Sequence, residues 1–144
     1  VRNGFVYLLE RQKTAATLWA FLHEDREKSM KYDCFLRLME QWEQKICLAL
    51  CHLHHVRPKG ILHGDVSPKN ILVKKNGDAF LIDFNTSDFE KSMELESPRL
   101  WFATEEFVSE QVKTRGMLSR ESDFYGLRKS FYLAREIARL RRGN

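Results

Sequence analysis

The dipeptide Asn76-Gly77 lies between two short apolar runs, Ile71–Val73 and Ala79–Ile82. An Asn-Gly pair flanked in this way is the strongest short-range signal for an antiparallel hairpin, since both residues tolerate positive φ. A two-residue turn would fix the register. Lys75 would then face Asp78, Val73 would face Phe80, Leu72 would face Leu81, and Ile71 would face Ile82. One step further along, Asn70 would stand opposite Asp83. Directly opposed residues project to the same side with Cβ atoms about 5 Å apart. Two oxygen-bearing side chains are thus predicted to converge at the open end of an apolar hairpin.

Helical periodicity surrounds this hairpin. Upstream, Phe35, Leu38, Met39, Trp42, Ile46, Ala49, Leu50 and Leu53 recur at i,i+3/i+4 spacing, predicting an amphipathic helix with Asp33 as N-cap. It should stop before the breaker Arg57-Pro58-Lys59-Gly60. A shorter helix is predicted from about Thr17, with Leu18, Phe21 and Leu22 on one side, after a buried strand at Phe5–Leu9. A last helix is predicted from near Ser122 to the arginines before Gly143. Residues 84–120, punctuated by Pro98 and Gly116, read as irregular. The fold class is therefore α+β: mainly helical, with one small hairpin.

Composition bounds the function. The 144 residues are 43% hydrophobic and 31% charged, which suits one globular domain or part of one. No run of about 18 apolar residues exists, so no membrane span is expected. The chain starts at Val1 rather than Met, which reads as a trimmed piece of a longer protein. Cys34, Cys47 and Cys51 form no CxxC pair, pointing to a reducing, intracellular compartment, cytoplasmic or nuclear. Cys51, His52, His54 and His55 crowd together, but the simpler reading is the end of an amphipathic helix rather than a metal site. The net charge of +4 conceals an asymmetry: residues 83–111 hold eight acids against two bases, and residues 112–144 nine bases against three acids. Those bases lack an aromatic stacking pattern, so a solvated helix face is expected and no nucleic-acid partner.

The chemistry gathers at the hairpin's open end. An amide oxygen and a carboxylate at the expected separation of Asn70 and Asp83 suit a hard cation such as Mg2+, which takes few protein ligands and completes its shell with phosphate oxygens and water. Asp65 precedes Asn70 by five positions in the loop His63-Gly64-Asp65-Val66-Ser67-Pro68-Lys69-Asn70. A carboxylate beside a metal–phosphate site can orient a hydroxyl and accept its proton. Taken singly, each residue reads as a turn-forming Asp or Asn; as a set on one hairpin they point to phosphoryl transfer.

His63–Asn70 resembles the protein-kinase catalytic loop HRDxKxxN, and Ile82-Asp83-Phe84-Asn85 resembles the DFG segment, with the usual eighteen positions between Asp65 and Asp83. Ala103–Gln111 looks like a degenerate activation-segment end, and Asp123, twelve residues after Gln111, fits the aspartate that opens the central helix of the large lobe. The resemblance covers nearly the whole chain, with residues 1–16 as last small-lobe strand and hinge and residues 17–144 as large lobe. It implies ATP and Mg2+ as cofactors and a protein hydroxyl as acceptor. Asp65 would be the catalytic base, Asn70 and Asp83 the metal ligands, and Leu72 part of the floor under adenine. The hinge backbone near Glu10–Gln12 would face the adenine edge. His63, Phe84 and Asp123 would tie the catalytic loop, metal loop and central helix together. The look is similar to divergent kinase-like proteins of fungal type.

Departures from the pattern have consequences. Gly64 replaces the arginine of HRD, which in many kinases meets a phosphate on the activation segment, so phosphorylation there is not expected to be the switch. Ser67 takes the place of the loop lysine, leaving Lys69, two residues on, as the candidate substitute. Asn85 replaces the DFG glycine and Gln111 the APE glutamate. No glycine-rich loop or strand lysine stands ahead of the hinge in this sequence, so weak ATP binding is expected of these residues alone. A rival resemblance is to small-molecule kinases of the aminoglycoside-phosphotransferase or choline-kinase type, whose loop is also His-Gly-Asp with Asn five later. Ala103–Gln111 and Asp123 at protein-kinase spacing favour the protein kinase. A pseudokinase acting as a binding module is the third reading, with the retained Asp65, Asn70 and Asp83 against it.

Overall fold

A computed structural model describes residues 15–24, 30–84, 88–89, 107 and 118–142, with only the backbone described at 88–89. Phe5–Leu9, the hinge including Glu10, Asn85 and nearly all of Ala103–Gln111 lie outside the described residues.

Chain order gives strand β1 (Ala16–Thr17), helix α1 (Leu18–His23), helix α2 (Tyr32–His54), strand β2 (Ile61–Leu62), a 3-10 turn (Pro68–Asn70), strands β3 (Ile71–Val73), β4 (Ala79–Leu81) and β5 (Asp88–Phe89), and helix α3 (Arg120–Arg142). Two small antiparallel sheets form, β1-β3-β4 and β2-β5. The two-residue strands β1, β2 and β5 were not predicted from sequence, because a period-two pattern needs about four residues to be visible.

Each helix start has a local cause. Thr17 Oγ1 accepts from Ala20 N–H at 3.0 Å and caps α1. Ser119 and Ser122 cap α3 reciprocally: Ser119 N–H donates to Ser122 Oγ at 2.8 Å, and Ser122 N–H to Ser119 Oγ at 3.2 Å. Helix α2 departs from expectation. Lys31 is its N-cap residue and makes no side-chain cap bond, while Asp33 sits inside the first turn. There its charge still complements the positive end of the helix dipole.

The hairpin register differs from expectation by one residue. Ile71 pairs with Leu81, Leu72 with Phe80 and Val73 with Ala79. The loop has three residues rather than two: Lys74 N–H donates to Asp78 O at 2.9 Å and Gly77 N–H to Lys74 O at 3.0 Å. A two-residue mirror-image turn requires positive φ at both centres, and only Gly77, at +96°, has it. Asn76 instead uses its side chain, Oδ1 accepting from Asp78 N–H at 3.0 Å. The slip turns Ile71, Val73 and Ala79 inward, and all three are buried.

Those side chains meet α2, whose inward stripe is Phe35, Met39, Trp42, Ile46, Leu50 and His54. Leu38 is only partly buried and Ala49 is exposed, so the observed stripe is narrower than the predicted one. Trp42 is fully buried, packs edge-on against Phe21 (centroids 5.2 Å apart) and donates through Nε1 to Lys74 O at 2.9 Å. It therefore joins α1, α2 and the hairpin turn. Leu127, Phe131, Ala134 and Ala138 of α3 close the same core. Burial of each large side chain contributes roughly 1.5–3 kcal/mol. This core is the platform on which the loop between β2 and β3 rests. Among the described residues no helix is long and apolar enough to cross a membrane.

Candidate active site

The loop His63–Asn70 is held from beneath by one carboxylate. Asp123, in the first turn of α3 and 2% exposed, accepts from three donors. His63 N–H reaches Oδ2 at 2.8 Å, Gly64 N–H reaches Oδ1 at 3.0 Å, and His54 Nε2–H reaches Oδ2 at 2.8 Å. A buried carboxylate is tolerated only when its lone pairs are satisfied in this way. Gly126, one turn further, lets α3 touch the loop: a Cβ there would stand 2.4 Å from Val66 O.

His63 carries the connection to the hairpin. It is fully buried; Nδ1 accepts from Asp65 N–H at 3.2 Å and Nε2 donates to Ile82 O at 2.9 Å. Its ring meets Phe84 edge-on, with centroids 4.9 Å apart. The predicted tie between catalytic loop, metal loop and central helix is therefore observed at His63, Phe84 and Asp123.

Asn70 and Asp65 are joined directly. Asn70 is 7% exposed, and its Nδ2 donates to Asp65 O at 2.8 Å and to Asp65 Oδ2 at 3.0 Å. With the amide hydrogens engaged, Oδ1 is the atom left to receive a cation. Asp83 is not opposite Asn70, which corrects the sequence expectation. Ile82 takes that place, its N–H donating to Asn70 O at 3.0 Å, and Asp83 follows one position beyond. The backbone there turns sharply, Asp83 having φ of +60°, an uncommon conformation for a residue with a Cβ. Asp83 is exposed at this turn, immediately after the pair that fixes Asn70. The donor set of an amide oxygen and carboxylates at a hairpin end suits a hard cation and not a soft one. Among the described residues no group of three His, Cys, Asp or Glu side chains is placed to hold a metal.

The remaining candidates separate. Leu72 is half-buried on the hairpin face opposite the core, paired with Phe80 on one side and Thr17 on the other. Ser67, in the place of the kinase loop lysine, is fully buried, and its Oγ has no hydrogen-bond partner among the described residues. Lys69 is exposed, and its ammonium lies 5.5 Å from the centre of the Trp19 ring. Sequence reading missed His54 as the partner of Asp123. Its spacing of four from Leu50 and eight from Ile46, both buried, was the available signal.

Comparison with known proteins agrees with this geometry. Residues 5–133 match the model of the protein kinase domain. The chain belongs to the protein kinase domain family. This settles the family against the small-molecule kinases, and the mainly helical chain with its small antiparallel sheets is a partial domain of the protein-kinase type. Among curated proteins it is similar to the rice LRR receptor-like serine/threonine-protein kinase ER1, 29% identical over 115 residues that make up 76% of this chain and 11% of that protein. The mouse serine/threonine-protein kinase Nek1 is 26% identical over 125 residues, 87% of this chain and 10% of that protein. The Arabidopsis L-type lectin-domain containing receptor kinase V.9 is 24% identical over 125 residues, 86% of this chain and 18% of that protein. The kinase chain thus spans less than a fifth of each of these relatives.

Proposed function

We propose that this kinase chain supplies the catalytic-loop half of a site for Mg2+-dependent phosphoryl transfer from ATP to a protein hydroxyl. The observation that carries the reading is the Asp65–Asn70 pair, held beneath by Asp123 and beside the turn that presents Asp83. Asp65 is the base: with Oδ2 engaged by Asn70, the carboxylate is oriented to receive the proton of an acceptor hydroxyl. Asn70 Oδ1 and the Asp83 carboxylate hold the metal ion. When bound, that ion neutralises charge on the transferring phosphoryl group. Leu72 gives the adenine ring an apolar surface from the half-buried face of β3, and the adenine edge is assigned to the stretch at Glu10 by the family resemblance alone. Lys69, exposed and seated over Trp19, acts from the rim of the loop.

Phosphoryl transfer needs little covalent work from the protein, so positioning and charge are most of what these residues contribute. The rigidity that positioning demands comes from the buried Asp123 and His63, whose bonds leave the loop few alternatives. The test is a calorimetric titration of the chain with ATP and Mg2+, beside Asp83→Ala. Binding that requires both Mg2+ and Asp83 supports the reading. Binding indifferent to Mg2+ and to Asp83, or no binding at millimolar ATP, refutes it and favours a pseudokinase-like binding module.

A further inference from the structure

Lys69 and Trp19 are unexplained by the roles above. Lys69 belongs to the 3-10 turn Pro68–Asn70, one residue before Asn70 and four after Asp65. It is exposed. Its ammonium rests over the Trp19 ring at 5.5 Å. Trp19 is 37% exposed and is itself stacked on His23, with ring centroids 3.8 Å apart and planes inclined by 22°. His23 is fixed in turn by a 2.9 Å bond from Nδ1–H to Trp19 O. An exposed lysine ordinarily wanders on its four-carbon stem. Here an aromatic platform confines the charge to the lip of the catalytic loop.

The platform is firm. Thr17 pairs with Leu72 and caps α1, and Leu18, Phe21 and Leu22 of α1 are buried in the main core. The cation is therefore held on Trp19, four residues along the loop from Asp65, before any ligand arrives, which lowers the ordering cost of binding.

We propose that Lys69, seated on Trp19, is the specificity-determining residue of the acceptor side, and that it selects polypeptides with an acidic residue beside the phosphorylated hydroxyl. The proposal rests on the reading of Asp65 as the base. An acceptor whose hydroxyl reaches Asp65 must lay its neighbouring residues across the same loop, where Lys69 is the exposed charge. A carboxylate there gains a charge-assisted bond, whereas a basic neighbour meets a fixed like charge.

The test is binding rather than turnover. The chain is titrated with a serine peptide flanked by glutamates and with the same peptide flanked by lysines. The acidic peptide is expected to bind more tightly, more weakly as salt rises, and with affinity reduced on the order of tenfold by Lys69→Gln and further by Lys69→Glu. Lys69→Arg, which keeps the charge and can stack on Trp19, should retain binding. Lys75→Glu, the same charge change in the exposed hairpin turn, should leave it unaltered and so exclude a mere effect of net charge. Equal or tighter binding of the basic peptide, or acidic-peptide binding unaffected by Lys69→Glu, overturns the proposal. The ATP–Mg2+ titration separates the two claims. Nucleotide binding without acidic-peptide binding refutes the Lys69 assignment alone. Acidic-peptide binding through Lys69 without nucleotide binding refutes phosphoryl transfer and leaves a peptide-binding surface.

Discussion

Replacing Asp123 by alanine tests how the catalytic loop is held. The carboxylate receives His63 N–H, Gly64 N–H and His54 Nε2–H at 2.8, 3.0 and 2.8 Å. All three donors belong to buried residues, His54 being 1% and His63 0% exposed. An orphaned buried donor costs about 1–3 kcal/mol. Three of them would cost up to about 9 kcal/mol in a rigid site. Deleting the carboxylate leaves room for a water, which recovers part of that. The expected loss is therefore about 3–5 kcal/mol. At about 2–4 °C per kcal/mol, the melting temperature should fall by roughly 6–20 °C. Asp123→Asn keeps one acceptor oxygen but turns an NH2 towards a donor, so it should fall between. The assay is thermal and urea unfolding followed by circular dichroism, with hydrogen exchange at the His63 and Gly64 amides. In a variant that remains folded, those amides should lose protection first. If Asp123→Ala stays within about 1 kcal/mol of the parent with both amides protected, the loop is held by something else and the reasoning fails.

Further outcomes follow from particular contacts. Gly126→Ala should destabilise by about 1–3 kcal/mol in urea unfolding, because its Cβ would sit 2.4 Å from the backbone oxygen of Val66. Ser67→Ala should be neutral or slightly stabilising, since the Oγ is buried without a partner, whereas Ser67→Lys, which restores the family residue, should destabilise by burying a charge. Burial, and secondly the neighbouring Cys51, push the Cys47 thiol up; at pH 7.5 iodoacetamide should therefore label Cys47 more slowly than the exposed Cys34, as read by mass spectrometry. Combined Ser/Thr→Ala replacement across residues 86–104 should leave peptide and nucleotide affinities unchanged, because Gly64 offers no cation to an activating phosphate.

The residues of the candidate site were legible in the sequence through their spacing. Asp65, Asn70, Asp83 and Asp123 stand at the intervals of the kinase pattern, and the structure links three of them through bonds to the same loop. The hairpin existed where Asn76-Gly77 put it, yet its register slipped by one. A single positive φ, at Gly77, with Asn76 bonding through its side chain, makes a three-residue loop that the dipeptide alone does not distinguish from a two-residue one. The slip moved Asp83 from a position opposite Asn70 to one residue past it, where its backbone had to turn left-handed. His54 was hidden for a different reason: a histidine on a buried stripe looks like a helix end until its carboxylate, 69 residues away, is in place. Lys69 was read for its charge and place in the loop, but its seat on Trp19 depends on how α1 packs, which no local pattern encodes.

The proposed metal site, Asn70 and Asp83 with a nucleotide, can be observed directly. Manganese can stand in for Mg2+ as a paramagnetic probe, added with ATP to the isotopically labelled chain. Nuclear magnetic resonance signals of Asp65, Asn70 and Asp83 should broaden, with no such broadening in Asp83→Ala. Broadening confined to the Cys51–His55 helix end, or unchanged by Asp83→Ala, would contradict that proposal.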